Sequence, residues 1–293
     1  MAATAISDLS QLHFTKMSGS GNDFIVIDNR DGALPADLAS PFTRLVSRRR
    51  LSIGADGVVL IEPSSRDDVD FIWRYINADG SDGEMCGNGA MCGARFAALR
   101  GIAPSTCAFL TPSGIVRAEM SGKEDDPAVR IAIAQPGPVR HGVEATIAGI
   151  PMTFSAIQVG VPHAVAIVDD ADSFPEGVDF NAFGRETRYH AAFAPAGTNV
   201  NIITVRNRST IRMRTYERGV EDETLACGTG AIASAVVAAS LGQVDTPVSV
   251  IVSSGRRLLA RFDLDGVQAA NVLLEGQAHV IADGVVGPDA LVE

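Results

Sequence analysis

The chain predicts an α+β fold of two sheet-rich halves, each holding one well-packed helix. Three observations carry that reading. Short runs of β-branched and aromatic residues, punctuated by glycine, recur along the 293 residues. A Cys-Gly-x-Gly-Ala sequence occurs twice, as Cys86-Gly87-Asn88-Gly89-Ala90 and Cys227-Gly228-Thr229-Gly230-Ala231. Each copy leads into an alanine-rich segment of helical character, over residues 91–100 and 232–241. With 46% apolar residues the chain can bury a large core, and its length suggests two domains.

In the first half, residues 24–27, 58–61 and 71–76 are predicted strands because branched and aromatic side chains dominate them. A helix is predicted over 41–50, with Ser40 as its cap and Pro41 in the first turn. In the second half, strands are predicted over 152–159, 163–168, 199–205 and 211–216, with a helix near 180–190. The tail, 247–286, reads as several short strands. The polar segment Ser121-Gly122-Lys123-Glu124-Asp125-Asp126-Pro127 marks a hairpin or the approach to a domain boundary. The expected division assigns residues 1–130, with a C-terminal strand at about 275–293, to the half carrying Cys86. Residues 131–274 form the half carrying Cys227.

Composition excludes several function classes. The formal net charge is −11 and no long basic run appears. Arg48-Arg49-Arg50 comes nearest and reads as the solvated end of a helix, so nucleic acid is not an expected partner. Residues 1–12 lack the basic start and apolar block of a secretory signal, and no stretch reaches the roughly 18 apolar residues of a membrane span. A soluble, cytoplasmic protein without a membrane partner is expected. Four cysteines in a chain this long do not form a disulfide framework. The spacings of Cys86, Cys92 and Cys107 fit no usual zinc pattern, and His13, His141, His163, His190 and His279 are scattered, so no metal is expected. Cys92 and Cys107 read as small buried hydrophobes. Gly19-Ser20-Gly21-Asn22 opens like a dinucleotide loop, but the pattern breaks at Phe24 and a strand follows.

The chemistry concentrates at Cys86 and Cys227. A thiol at a helix N-terminus meets unpaired backbone N–H groups and the positive end of the dipole, which draws a cysteine pKa down from about 8.5. Two such thiols facing one pocket could take a proton from one side of a carbon and return one from the other. Further polar clusters stand in apolar surroundings: residues 16–24, Asn77-Ala78-Asp79-Gly80-Ser81, Pro162-His163, Thr198-Asn199-Val200-Asn201 and Tyr216-Glu217-Arg218-Gly219.

Taken in order from about Phe14 to about Val280, these pieces resemble the diaminopimelate epimerase family. The most specific are Met85-Cys86-Gly87-Asn88-Gly89, Asn77-Ala78-Asp79-Gly80-Ser81, and Glu217-Arg218-Gly219 followed by Leu225-Ala226-Cys227-Gly228-Thr229-Gly230. The resemblance implies two pseudo-symmetric domains, each a mixed or antiparallel sheet wrapped around a central helix, with the active site in the cleft between them. It implies an isomerase without a cofactor that interconverts LL- and meso-diaminopimelate, feeding lysine and peptidoglycan synthesis. Cys86 and Cys227 would be the acid/base pair. Gly87, Asn88, Gly228 and Thr229 would bind the reacting α-carboxylate, while Asn22, Asn77, Asn199 and Arg218 hold the rest of the substrate. His163 and Glu217 would tune the cysteines or hold the α-ammonium. The expected partner is a small amino acid, and a homodimer is left open.

Three positions depart from the family pattern. Gly57 stands where a substrate-contacting glutamine is usual, and Val161 where an asparagine normally touches the distal amino-acid group. Met91 replaces a common arginine, at a helix position whose outward contacts can change freely. Gly57 and Val161 leave two alternatives: a cofactor-independent racemase of another amino acid, such as histidine or a diamino acid, and a non-catalytic amino-acid-binding relative.

Overall fold

The computed structural model describes residues 5–83, 85–123 and 125–292, and they are mostly strand, with four α-helices. Two compact units are present, one formed by residues 1–131 and 276–293, the other by 132–275. Among the described residues no helix is long and apolar enough to cross a membrane.

In the first unit, β1 (His13–Gly19) pairs antiparallel with β2 (Asn22–Asp28), and β2 runs parallel to β3 (Gly57–Glu62). Parallel neighbours need a crossover, and α1 (Ala36–Val46) supplies it. β3 pairs antiparallel with β4 (Phe71–Asn77), which touches the two-residue strand β5 (Asp82–Gly83). A second crossover, α2 (Gly87–Leu99), leads to β6 (Thr106–Thr111), parallel to β4. The antiparallel strands β7 (Gly114–Gly122) and β8 (Pro127–Ala132) follow. They form a hairpin in the polar segment 121–127, in which Glu124 lies outside the described residues.

The second unit runs through the same succession of pairings. After β9 (Arg140–Ile147), β10 (Ile150–Val159) pairs antiparallel with β11 (Val161–Ile167), which is parallel to β12 (Asn199–Asn207) across α3 (Phe180–Tyr189). β12 pairs antiparallel with β13 (Thr210–Glu217), whose partner β14 (Asp222–Thr224) is again short. Then α4 (Gly228–Ser240) crosses to β15 (Val248–Ile251), parallel to β13, and β16 (Arg257–Asp265) closes antiparallel. Finally β17 (Gln268–Val285) returns the chain to the first unit, where its residues 278–285 pair with β1.

Helices α2 and α4 are the interior of their units. α2 contacts β1, β2, β3, β4 and β7, while α4 contacts β10, β11, β12, β13, β15 and β16. Nine residues of each are buried, including the consecutive runs Asn88–Ala94 in α2 and Gly230–Ala238 in α4. A helix buried on all sides reads as apolar all round, and alanine and glycine let strands approach it closely. Gly93 shows the limit: a Cβ there would lie 2.8 Å from the Trp73 ring. By contrast α1 buries one stripe, Ala39, Phe42, Thr43 and Val46, against Ile25, Ile27, Val58 and Leu60.

Several expected bounds are corrected. α1 starts at Ala36, so Pro41 lies inside it and Ser40 does not cap it. Pro41 lacks the N–H that would reach Asp37 in the first turn, and Asp37 is exposed to solvent. The helix stops at Val46 because the Gly54 and Ala55 amides take the Val46 and Ser47 carbonyls. Arg48-Arg49-Arg50 therefore lies beyond the helix. α2 and α4 each begin at the residue after the cysteine, four positions before the predicted starts at 91 and 232. The tail is not only short strands, since β17 is 18 residues long.

Candidate active site

Each unit presents one cysteine at the N-terminus of its buried helix. Cys86 caps α2 from an extended backbone, and its Sγ accepts the Gly89 N–H at 3.5 Å. Cys227 caps α4 in nearly the same backbone conformation, and its Sγ accepts the Gly230 N–H at 3.4 Å. The sulfur takes the place of the side-chain oxygen that usually caps a helix. The amides of Gly87, Asn88, Gly228 and Thr229 then have no partner within their helices and form two places suited to an anion. Thr229 Oγ1 also lies 3.5 Å from the Cys227 sulfur. Cys227 is buried and Cys86 half-buried.

Around Cys86, a chain of side chains fixes three of the predicted asparagines. Asn88 is 2% exposed and donates from Nδ2 to Asn22 Oδ1 at 2.7 Å. Asn22 in turn donates to Asp56 Oδ2 at 3.0 Å, and the same oxygen accepts the Asp23 amide. The Asp56 carbonyl accepts the Ala78 amide, tying down the turn in which Asn77 bonds Ser81. Arg49 bridges Asp23 and Asp56, and Lys16 pairs with Asp23 at 2.7 Å. Burial alone would raise the Asp23 carboxyl, but hydrogen bonds from Arg49 and Lys16 outweigh it and hold the group below the usual carboxylate range. Asp56 was not singled out in the sequence, and Arg49 reads there only as part of a solvated helix end.

In the second unit, Asn199, Asn201 and His163 meet where β11 runs parallel to β12. His163 stands opposite Asn199 in the register. Asn199 accepts the Arg218 amide at 2.7 Å and donates to the Pro162 carbonyl at 3.2 Å, and Arg218 donates to the Ala196 carbonyl. Glu217, at the end of β13, precedes Arg218 and makes contacts of its own. Asn201 is fully buried and bonds His163 Nδ1, the Ala164 carbonyl and Thr215 Oγ1. It lies against α4: a Cβ on Gly230 would sit 2.5 Å from Asn201 Oδ1 and 3.2 Å from the Cys227 sulfur. Asn201 is a contact that sequence reasoning quoted but did not select. Its signal was the two-residue spacing from Asn199, which places both on one face of a strand. His163 is 1% exposed, and burial, reinforced by the Arg218 charge, lowers its pKa to about 3.

The three departures look different in three dimensions. A Cβ at Gly57 would lie 2.3 Å from the Ile76 carbonyl and 2.6 Å from the Tyr75 ring, whose hydroxyl donates to the Asp56 carbonyl. Tyr75 fills the space a side chain at 57 would need. Val161 opens β11 directly after Gly160, whose φ of 68° makes the tight return from β10. Met91 is fully buried, so it is not the outward-facing position the sequence suggested. Cys92 and Cys107 are buried as well, and burial pushes the Cys107 thiol up to about 11 and Cys92 higher still.

The family model described as Diaminopimelate epimerase matches residues 14–140 and 155–278. The diaminopimelate epimerase of Aquifex aeolicus is 39% identical over 96% of this chain and 99% of its own length. That of Chlorobaculum tepidum is also 39% identical, over 92% of this chain and 99% of its own. Among solved structures, a PhzF-family phenazine biosynthesis protein from Bacillus anthracis superimposes with a TM-score of 0.70 at 13% identity, covering 94% of this chain and 98% of that one. A probable proline racemase from Agrobacterium radiobacter gives 0.69 at 14% identity, covering 94% and 93%. At these identities the structural matches speak for the fold alone.

Proposed function

This chain belongs to the diaminopimelate epimerase family, and we propose that it interconverts LL- and meso-diaminopimelate without pyridoxal phosphate, supplying lysine and peptidoglycan synthesis. The observation that carries the reading is the repeated cap: two thiols, each at the start of a buried helix, each accepting the amide three residues on. In this reading the units formed by 1–131 with 276–293 and by 132–275 are the two halves of the epimerase.

Inversion at an α-carbon needs a base on one face and an acid on the other. One cysteine thiolate takes the Cα proton, and its C–H electron pair passes into the carboxylate as an enediolate-like carbanion. The other cysteine thiol then donates its proton to the opposite face, leaving the roles exchanged for the reverse direction. Amides aimed at the carboxylate offset the charge that builds there as the proton leaves, supplied here by Gly87, Asn88, Gly228 and Thr229. Asn22, Asn77, Asn199 and Arg218 hold the remaining polar groups of the substrate, and Glu217 and His163 complete its surroundings. Each positioned acid or base contributes roughly 10²–10⁴-fold.

The test is turnover of LL-diaminopimelate in deuterium oxide. Deuterium is expected at Cα as the meso isomer appears, and Cys86→Ala and Cys227→Ala should each lower inversion by at least about 10²-fold. Cys107→Ala should leave it intact. Exchange into another amino acid such as histidine, and none into diaminopimelate, would move the reading to a different substrate. No exchange into any amino acid would remove it.

A further inference from the structure

We propose that Asn201 is a positioning residue that locks His163 as its neutral Nε2–H tautomer, so that the imidazole faces the bound amino acid only as a hydrogen-bond donor. This deepens the epimerase reading and rests on it for the identity of the ligand.

A backbone carbonyl can only accept a hydrogen bond. The Ala164 carbonyl lies 3.3 Å from Asn201 Nδ2, which sets the amide group with its nitrogen on that side. Thr215 Oγ1 completes the assignment by donating to Asn201 Oδ1 at 3.0 Å. The same Nδ2 lies 3.1 Å from His163 Nδ1. An amide nitrogen donates and never accepts, so Nδ1 must offer its lone pair, and a neutral ring then carries its proton on Nε2. The neutral state follows from burial: His163 is 1% exposed, and the Arg218 cation also disfavours a charged ring.

Nε2 is buried and has no hydrogen-bond partner among the described residues. His163 also lines a cavity of about 310 Å³ with Pro162, Phe193, Pro195 and Thr198, and neither Cys86 nor Cys227 is part of that lining. A buried N–H without an acceptor is destabilising, a cost that disappears when a ligand brings an acceptor. An Nε2–H group can meet a carboxylate or a thiolate but cannot accept from an ammonium. Of the two roles the family resemblance offers His163, only the one that needs a donor remains.

The experiment uses the whole chain labelled with ¹⁵N-histidine, with long-range ¹H–¹⁵N correlation at neutral pH and His163→Gln to assign the ring signals. The expected pattern is a protonated Nε2 and an accepting Nδ1. A proton on Nδ1, or on both nitrogens, overturns the proposal. The near-isosteric Asn201→Leu, which neither donates nor accepts, should let both tautomers populate and lower kcat for deuterium exchange about 3–10-fold, in line with one lost orienting hydrogen bond. If that variant folds and keeps both the wild-type ring pattern and full kcat, the proposal is also overturned. If it does not fold, the wild-type spectrum alone decides. The spectrum is read without turnover, so a protein inactive on diaminopimelate would fail the epimerase reading and leave the tautomer result standing.

Discussion

Gly230 and Gly89 occupy the same place after their cysteines, yet they have different freedom. A methyl group at Gly230 would strike Asn201 Oδ1 at 2.5 Å, whereas at Gly89 the nearest atom is in the Phe24 ring at 3.3 Å. Alanine gains helix propensity at both, by roughly 0.5–1 kcal/mol. At Gly230 overpacking of about 1–3 kcal/mol outweighs that gain. Gly230→Ala should therefore lower Tm and activity together, while Gly89→Ala should shift Tm by no more than about 1 kcal/mol equivalent, both readable by calorimetry and exchange assays. Asp56 gives a second test, because it anchors Asn22 while standing apart from the thiols. Asp56→Ala should lower kcat/KM by about tenfold or more, in line with losing a hydrogen bond to a charged group, as steady-state kinetics would show. His163 gives a third. It is neutral when folded, with its pKa lowered to about 3, and an unfolded histidine takes a proton below about 6.5. The unfolded state binds the extra proton across that window, so stability falls as pH drops from about 6.5 toward about 3. Urea midpoints at pH 7 and 4.5 should fall further for the wild type than for His163→Gln.

At the scale of elements, strands were the legible part. Residues 58–61 and 71–76 sit inside β3 and β4 because branched and aromatic side chains fit a pleated, buried surface. Helix starts were harder. Propensity discounts Gly87, Asn88 and Gly89, and Gly228 and Gly230, so it delayed both starts by a turn. The cysteine cap and the buried, close-packed surroundings override that preference. For the same reason the thiols and asparagines were visible as residue types, but their connecting parts, Asp56 and Asn201, were not. Their partners lie 33 to 38 residues away in sequence, so the spacing of Asn201 from Asn199 gives its face but not its partner. Close packing of α2 carries its own expectation. Gly93→Val would push branched carbon into the Trp73 ring, already 2.8 Å from a Cβ there, and should destabilise the protein by about 1–3 kcal/mol or more in urea titration.

For the whole molecule, the first unit is discontinuous and the second is not. Val286 and Leu291 belong to the same buried cluster as Leu9, Ile25 and Phe42, and residues 278–285 pair with β1. A chain ending at residue 275 keeps every residue of the second unit but strips from the first the strand segment paired with β1 and part of the core. It should show increased dye binding to exposed apolar surface and poor solubility, measured against the full chain. The sequence reading assigned a C-terminal strand at about 275–293 to the first half, but a tail of branched residues does not reveal which distant strand it will join.

The same return strand sets an order of events on the ribosome. Proteins made from the N-terminus usually fold their first domain first. Here residues 1–131 share their unit with 276–293, while the second unit ends at residue 275, within β17 and before the segment that pairs with β1. The second-synthesised unit is therefore free to form first, and the beginning of the chain is finished by its end.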